Sequence, residues 1–168
     1  MTVAATGSQS KALENLRAMV AASSSFQTLV GAADADAAKA HVYLTAVADP
    51  VASKRPFALV RQVLEGGFRY DSLGLDTSYG YRESGSLDLI FAVDTPAAYQ
   101  ANEGNAQTYM LNTVEAIIED LMALSGYTHL LIRGLTMDIG PIHSHRAEDA
   151  SEGDYWLLRC LVDWGLEE

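Results

Sequence analysis

The chain has 168 residues, 49% of them apolar and 20% charged, with 22 acidic against 11 basic side chains and a formal net charge of −11. That length suits one domain burying about 70% of its unfolded surface, and the composition excludes a disordered chain or a membrane protein. Binding nucleic acid by phosphate neutralisation is also excluded, because that mode needs clustered Lys and Arg.

No run approaches the ~20 apolar residues that cross a bilayer. Lys11, Glu14 and Arg17 interrupt the N-terminal region where a secretory signal would need an unbroken apolar stretch. The single cysteine, Cys160, has no internal disulfide partner, which suits a reducing compartment. A cytosolic protein is expected. From Asp138 onward eight acidic and two basic residues leave −6. Such a field suits a basic partner surface or a channel that an anion passes without sticking, and simple solubility would produce it equally well.

Met1 to Gln9 is small and polar and reads as a flexible arm; residues 10–168 read as a single domain. A helix is expected from about Ser10, with Leu13, Leu16, Met19 and Val20 at helical spacing, interrupted at Ser23, Ser24 and Ser25. Phe26, Leu29 and Val30 begin a second helical segment that Gly31 ends in a left-handed cap. A short Ala-rich helix follows from Asp34 to Ala40, with the acid favoured in its first turn.

Strands begin at His41. His41 to Val47 is rich in β-branched and aromatic residues and closes at Asp49 and Pro50. A second strand covers Phe57 to Val63, and Gly66 with Gly67 then breaks the chain. Phe68 to Arg82 is irregular and reads as a long hairpin loop or a protruding edge ribbon. From Ser86 to Val93 the alternation is clean, with Leu87, Leu89, Phe91 and Val93 on one face.

Thr95 and Pro96 form a helix-start signal, a capping hydroxyl followed by a residue with no donor to satisfy. Met110, Val114, Ile117, Leu121 and Leu124, widened by Ile118 and Met122, make one face of a long amphipathic helix ending near Gly126. Two further strands are expected. The first is His129 to Ile139, with Leu131, Leu135, Met137 and Ile139 inward. The second is Tyr155 to Trp164, with Trp156, Leu158, Cys160, Val162 and Trp164 inward.

This order predicts an α+β fold, a two-layer sandwich in which one long helix covers a mainly antiparallel sheet, with additional N-terminal helices. The second sheet face is apolar as well, at Val42 or Tyr43, Ile90, Leu130, Ile132, Leu157 and Leu161. Either the N-terminal helices or another subunit must cover it.

No catalytic signature accompanies this fold. His143 and His145, beside Glu148, Asp149, Glu152 and Asp154, offer nitrogen and oxygen donors for zinc or a similar ion, and a small metal-dependent enzyme or ligand-binding domain could use them. No further His or Cys stands at diagnostic spacing, and carboxylates in a polar loop are usually solvated, so no metal or cofactor is assigned. Cys160 sits among Leu158, Leu161 and Val162 and reads as a core thiol. No phosphate loop or nucleophile elbow occurs, so catalysis is not expected.

Contact residues are better candidates. Phe68, Arg69, Tyr70, Tyr79, Tyr81 and Arg82 combine the residue types enriched at interfaces; the rings could equally pack on their own domain. The loop carrying His143, His145, Arg146, Glu148, Asp149, Glu152 and Asp154 is either a partner-binding finger or a solvated connection.

The whole outline resembles a known family. An N-terminal helix, the clean strand Ser86 to Val93, Thr95-Pro96 before a long helix ending in Leu124-Ser125-Gly126, and paired closing strands finishing in Val162-Asp163-Trp164 resemble the tail terminator, or tail-completion, proteins of long-tailed bacteriophages. The resemblance covers most of the chain after about residue 10 and rests on element order, since the family has no short invariant motif. It implies a structural, non-enzymatic virion protein near the head–tail junction, assembled in the host cytoplasm. It further implies a homo-oligomeric ring, usually six-fold, that caps the tail tube and joins it to head-completion or neck proteins. DNA would be passing cargo without specific binding. Neck and head-closure connectors share the size and ring habit, and the Gly66–Gly85 region and the charged hairpin exceed a minimal version of the fold.

Overall fold

The computed structural model describes residue 4 and residues 7–44, 54–63, 69–72, 81–126, 130–145 and 155–167. Its elements are α1 (Ser8–Ala22), α2 (Ser24–Val30), α3 (Ala35–Lys39), β1 (Val42–Tyr43), β2 (Phe57–Gln62), β3 (Arg69–Ser72), β4 (Tyr81–Asp94), α4 (Glu103–Leu124), β5 (Leu131–His145) and β6 (Tyr155–Glu167). The fold is α+β, as the sequence predicts.

Local chemistry sets the helix boundaries. Ser23 ends α1 and caps α2, its hydroxyl accepting from the Phe26 amide, and Gly31 closes α2 at φ 68°. Asp34 is the cap of α3 and not part of its first turn, accepting from the Ala37 amide at 2.8 Å. Ser8 and Gln9 already belong to α1, not to the arm.

The helix-start signal at Thr95 and Pro96 is overruled. Two tight turns follow instead, with the Tyr99 amide on the Pro96 carbonyl and the Asn102 amide on the Tyr99 carbonyl. Asn102 then caps α4 by accepting from the Asn105 amide at 3.1 Å. The Thr95 hydroxyl caps nothing; among the described residues it is buried without a partner.

The sheet has six strands in the order β1-β2-β4-β6-β5, with β3 also pairing β4. Among the described residues only β1 and β2 run parallel. Residues 45–47 of the expected first strand lie outside the described residues. β4 is the organising strand: one edge pairs first with β3 and then with β2, and the other pairs with β6 over thirteen positions, Arg82↔Glu167 to Asp94↔Tyr155. The β3 pairing sets residues 69–72 antiparallel to 81–84, but residues 82–84 pair with β6 as well, so that part of β4 lies inside the sheet and is not a protruding ribbon; residues 73–80 lie outside the described residues.

The four helices among the described residues pack on one face. Leu16, Met19 and Val20 of α1, Phe26 of α2, Ala38 of α3, and Met110, Val114, Ile117 and Leu121 of α4 share one core with Leu87, Leu89, Phe91 and Val93 of β4 and Trp156, Leu158, Cys160, Val162 and Trp164 of β6. The long helix α4 covers this face together with α1 and the shorter N-terminal helices. Met122 does not widen the buried stripe; it is 47% exposed.

β5 departs from its expected phase. Leu130 and Ile132 face the core, followed by Leu135 and Met137, while Leu131 does not join them. The register explains the switch: Ile132 pairs with Trp164 and Gly134 with Asp163, so Arg133 is an extra residue, a β-bulge that reverses the alternation. Leu130 and Ile132, expected on the second face, thus belong to the main core, and of Val42 and Tyr43, the alternatives for that face, Val42 faces the core and Tyr43 the second face.

Candidate interaction surface

Among the described residues no helix lies on the other sheet face. It carries a second apolar cluster, Phe57, Leu59 and Ala92, with Tyr43, Ile90 and Leu157 packed against it. The alternation of β2, β4 and β6 creates it, since each strand is buried on one side by helices and still presents apolar residues on the other. Tyr43 meets Phe57 edge to face, with centroids 5.5 Å apart.

Charge is threaded through this cluster. Asp88 is 2% exposed yet directly opposite Arg61 in the β2–β4 register. Its two carboxylate oxygens are divided: Oδ2 accepts from Arg61 Nε at 3.2 Å, and Oδ1 from Arg159 Nε at 2.8 Å. The guanidinium-bearing side chains of Arg61 and Arg159 remain 40% and 44% exposed. A single sunken carboxylate thus holds two outward-reaching cations. Nearby, Arg55 is buried, bonded to Asp94 at 2.6 Å and stacked 4.1 Å from the Tyr155 ring centroid. Lys54 lies 5.7 Å from the Tyr43 ring centroid. Arg133, extruded by the bulge, lies across Gly165.

The result is charge segregation in a strongly acidic chain. Lys54, Arg55, Arg61, Arg133 and Arg159 attend this sheet face, against Asp88, Asp94 and Asp163, and Asp138 stands opposite Arg159 in the β5–β6 register. The helical layer has the opposite balance, with Glu14, Asp34, Asp36, Glu103, Glu115, Glu119 and Asp120 against Lys11, Arg17 and Lys39. Asp120 is committed to structure. It accepts the Ser25 amide at 2.9 Å and the hydroxyls of Ser23 and Ser24 at 2.7 and 3.2 Å, and these bonds, the amide first, hold its carboxyl below the usual range.

Two open grooves flank α4. One of about 490 Å³ is lined by Tyr99, Asn105, Thr108, Tyr109, Asn112 and Thr113, and the other, of about 370 Å³, by Ser25, Thr28, Leu29, Tyr109, Thr113 and Ala116. Neither lining contains an acid, a base or a thiol. Among the described residues no group of three His, Cys, Asp or Glu side chains is placed to hold a metal ion. Cys160 is fully buried, and burial pushes its thiol up to about 12, far from a nucleophile's range. No helix among the described residues is long and apolar enough to cross a membrane.

The candidates named from sequence divide between the two ends of the sheet. Arg69, Tyr70, Tyr81 and Arg82 sit on β3 and β4, Arg69 opposite Ser84 and Tyr70 opposite Glu83. His143 and His145 pair with Leu157 and Tyr155 at the far end of β6. Twelve strand positions separate the Arg82 and Asp94 levels, roughly 40 Å at the rise of a β-strand. Residues 69–72 with 81–84 and the histidine positions therefore stand at opposite ends of the sheet. Phe68, Tyr79, Arg146, Glu148, Asp149, Glu152 and Asp154 lie outside the described residues.

The Arg61–Asp88–Arg159 triad is absent from that candidate set. Its only trace in the sequence is an acid in the outward phase of an otherwise apolar strand, with partners 27 and 71 positions away. The chain matches no protein-family profile and no curated protein.

Proposed function

We propose that this chain is a virion structural protein of a long-tailed bacteriophage, a tail terminator whose copies form a ring. The ring caps the tail tube, stops its growth and offers a docking surface to the head-completion proteins, with DNA passing through the lumen. The observation that supports this reading is the two-faced sheet: helices bury one face, while the other carries a buried cluster of Phe57, Leu59 and Ala92 rimmed by half-buried Tyr43, Ile90 and Leu157 and by outward arginines, with no helix over it among the described residues. Such a surface suits contact between subunits. The element order on which the family resemblance rests points the same way, and the net charge of −11 suits a conduit to which duplex DNA does not adhere.

The test is a deletion of the gene in its phage, with particles viewed by electron microscopy. A terminator's loss gives tails of uncontrolled length. Tails of normal length that fail to join filled heads would instead assign the chain to the neck connector. Normal infectious particles, or stoichiometric zinc in the purified protein that disappears when His143 and His145 are replaced, would overturn the structural reading.

A further inference from the structure

We infer that the two grooves beside α4 form one binding trough for an uncharged saccharide. They share Tyr109 and Thr113, and their α4 residues, Asn105, Thr108, Tyr109, Asn112, Thr113 and Ala116, recur at helical spacing, so the two linings are one continuous stripe. Thr28 and Leu29 of α2 supply the opposite wall of one groove, and Tyr99 closes the other. At about 490 and 370 Å³, both fall within the roughly 300–1,000 Å³ of small-molecule sites.

The hydrogen-bonding groups select the ligand. The hydroxyls of Thr28, Thr108 and Thr113 donate to the carbonyls of Ser24, Gly104 and Tyr109 at 2.9, 2.8 and 2.8 Å, so their oxygens remain to the trough as acceptors only. The carboxamides of Asn105 and Asn112 make no hydrogen bond among the described residues and offer donors and acceptors both. The trough therefore asks for a ligand with an excess of donors. The hydroxyls of a sugar ring meet that need, whereas a peptide backbone brings one donor with each acceptor. Tyr109 packs against the main core, and Tyr99, 36% exposed, leans on it with ring centroids 5.4 Å apart. Braced together, the two rings make a preordered aromatic wall, whose electron-rich faces attract the C–H side of a sugar. No charged side chain lines the trough, so an ionic ligand finds no counter-charge, and Glu103, Glu115 and Glu119 on the same helix disfavour an anion further. The site uses no residue of the second sheet face and stands independently of the ring.

Titration of the full-length protein with maltotriose, cellotriose and triacetylchitotriose, followed by amide NMR shifts and calorimetry, tests this. At least one of them should bind at millimolar concentration or below and move the amide signals of residues 105–116. Tyr99→Ala should weaken that saccharide about fivefold or more by removing part of the aromatic wall, and Asn112→Ala about fivefold by removing a hydrogen-bonding group. Both positions are exposed, so circular dichroism should show an unchanged fold. Thr108→Val, which deletes an acceptor, should weaken binding in the same direction. A sialylated trisaccharide should bind less tightly than its neutral counterpart. Failure of all three neutral saccharides to bind, or binding that Tyr99→Ala and Asn112→Ala leave unchanged, would overturn the site. A neutral Ser- and Thr-rich peptide that displaces every saccharide would overturn the ligand class and give the trough to a polypeptide.

Discussion

Asp120 near the end of α4 accepts the hydroxyl of Ser23 at the α1–α2 junction, at 2.7 Å and across 97 positions of sequence. Together with the Ser24 hydroxyl and the Ser25 amide, this makes one carboxylate the clasp between the N-terminal helices and the long helix. Because these bonds favour the charged form, Asp120 is more acidic folded than unfolded. Its stabilisation is complete above the unfolded value, near 3.8, and is lost as pH falls through the lower folded value. Asp120→Asn should lower neutral-pH stability by about 1 kcal/mol, the low end for bonds to a charged group because solvent reaches the site. The gap between variant and wild type in urea titrations should shrink below pH 4, and a gap constant down to pH 2 would contradict the assignment.

The Arg61–Asp88–Arg159 triad predicts non-additivity. Removing Arg61 or Arg159 alone leaves Asp88 one partner, so each change to Ala should cost about 1 kcal/mol or less. The double variant leaves a carboxylate that is 2% exposed without either cation. It should cost about 3 kcal/mol, well above the sum of the single changes, because an uncompensated buried charge is then exposed to the full desolvation penalty. Chemical denaturation of the four proteins in the cycle measures the coupling.

Gly85 and Trp164 face each other in the β4–β6 register, and a Cβ at position 85 would stand 3.1 Å from the indole ring. Gly85→Val should therefore displace the ring and cost about 1–3 kcal/mol by overpacking, despite the better strand propensity of valine. Tryptophan fluorescence should shift to the red. An unshifted spectrum with unchanged stability would mean that the indole does not cover Gly85.

The bulge at Arg133 is testable by deletion. Without the extra residue, either Leu130 and Ile132 or Leu135 and Met137 must turn away from the core. The expected loss is about 3 kcal/mol or more, two buried aliphatic side chains at the usual transfer value. Arg133→Ala keeps the register and should cost little, so the pair of variants separates phase from side chain.

Cys160 supplies a simple probe. With its thiol pushed up to about 12 by burial, it should resist a thiol-reactive chromophore at pH 8 in the native state and react once denaturant opens the core. Rapid native labelling would place it elsewhere.

Where one physical signal acts alone, sequence and structure agree. Trp156, Leu158, Cys160, Val162 and Trp164 alternate without interruption, and β6 is a central strand with that phase. β5 resists the same reading because one extruded residue inverts the pattern, and local composition around Arg133 gives no sign of it. The start of α4 is misplaced by seven residues because a threonine–proline pair is as good a turn signal as a helix signal, and the Asn102 cap decides. Asp88 escapes notice because its meaning depends on arginines supplied by two other strands. The segment carrying Arg69, Tyr70, Tyr81 and Arg82 is visible as irregular sequence, and the pairing of β3 with β4 within it depends on register that composition does not encode.

The position of β6 between β4 and β5 has a kinetic consequence. Among the described residues β5 reaches the sheet only through β6, and every rung of the β4–β6 ladder joins residues 61 to 85 positions apart. Such distant pairings form late and slowly. During synthesis β4 and α4 emerge well before their missing neighbour, so a nascent chain must hold an apolar strand edge open until residues 155–167 arrive. Overproduction should yield aggregates built on that waiting edge, and slower translation or lower temperature should favour the finished domain.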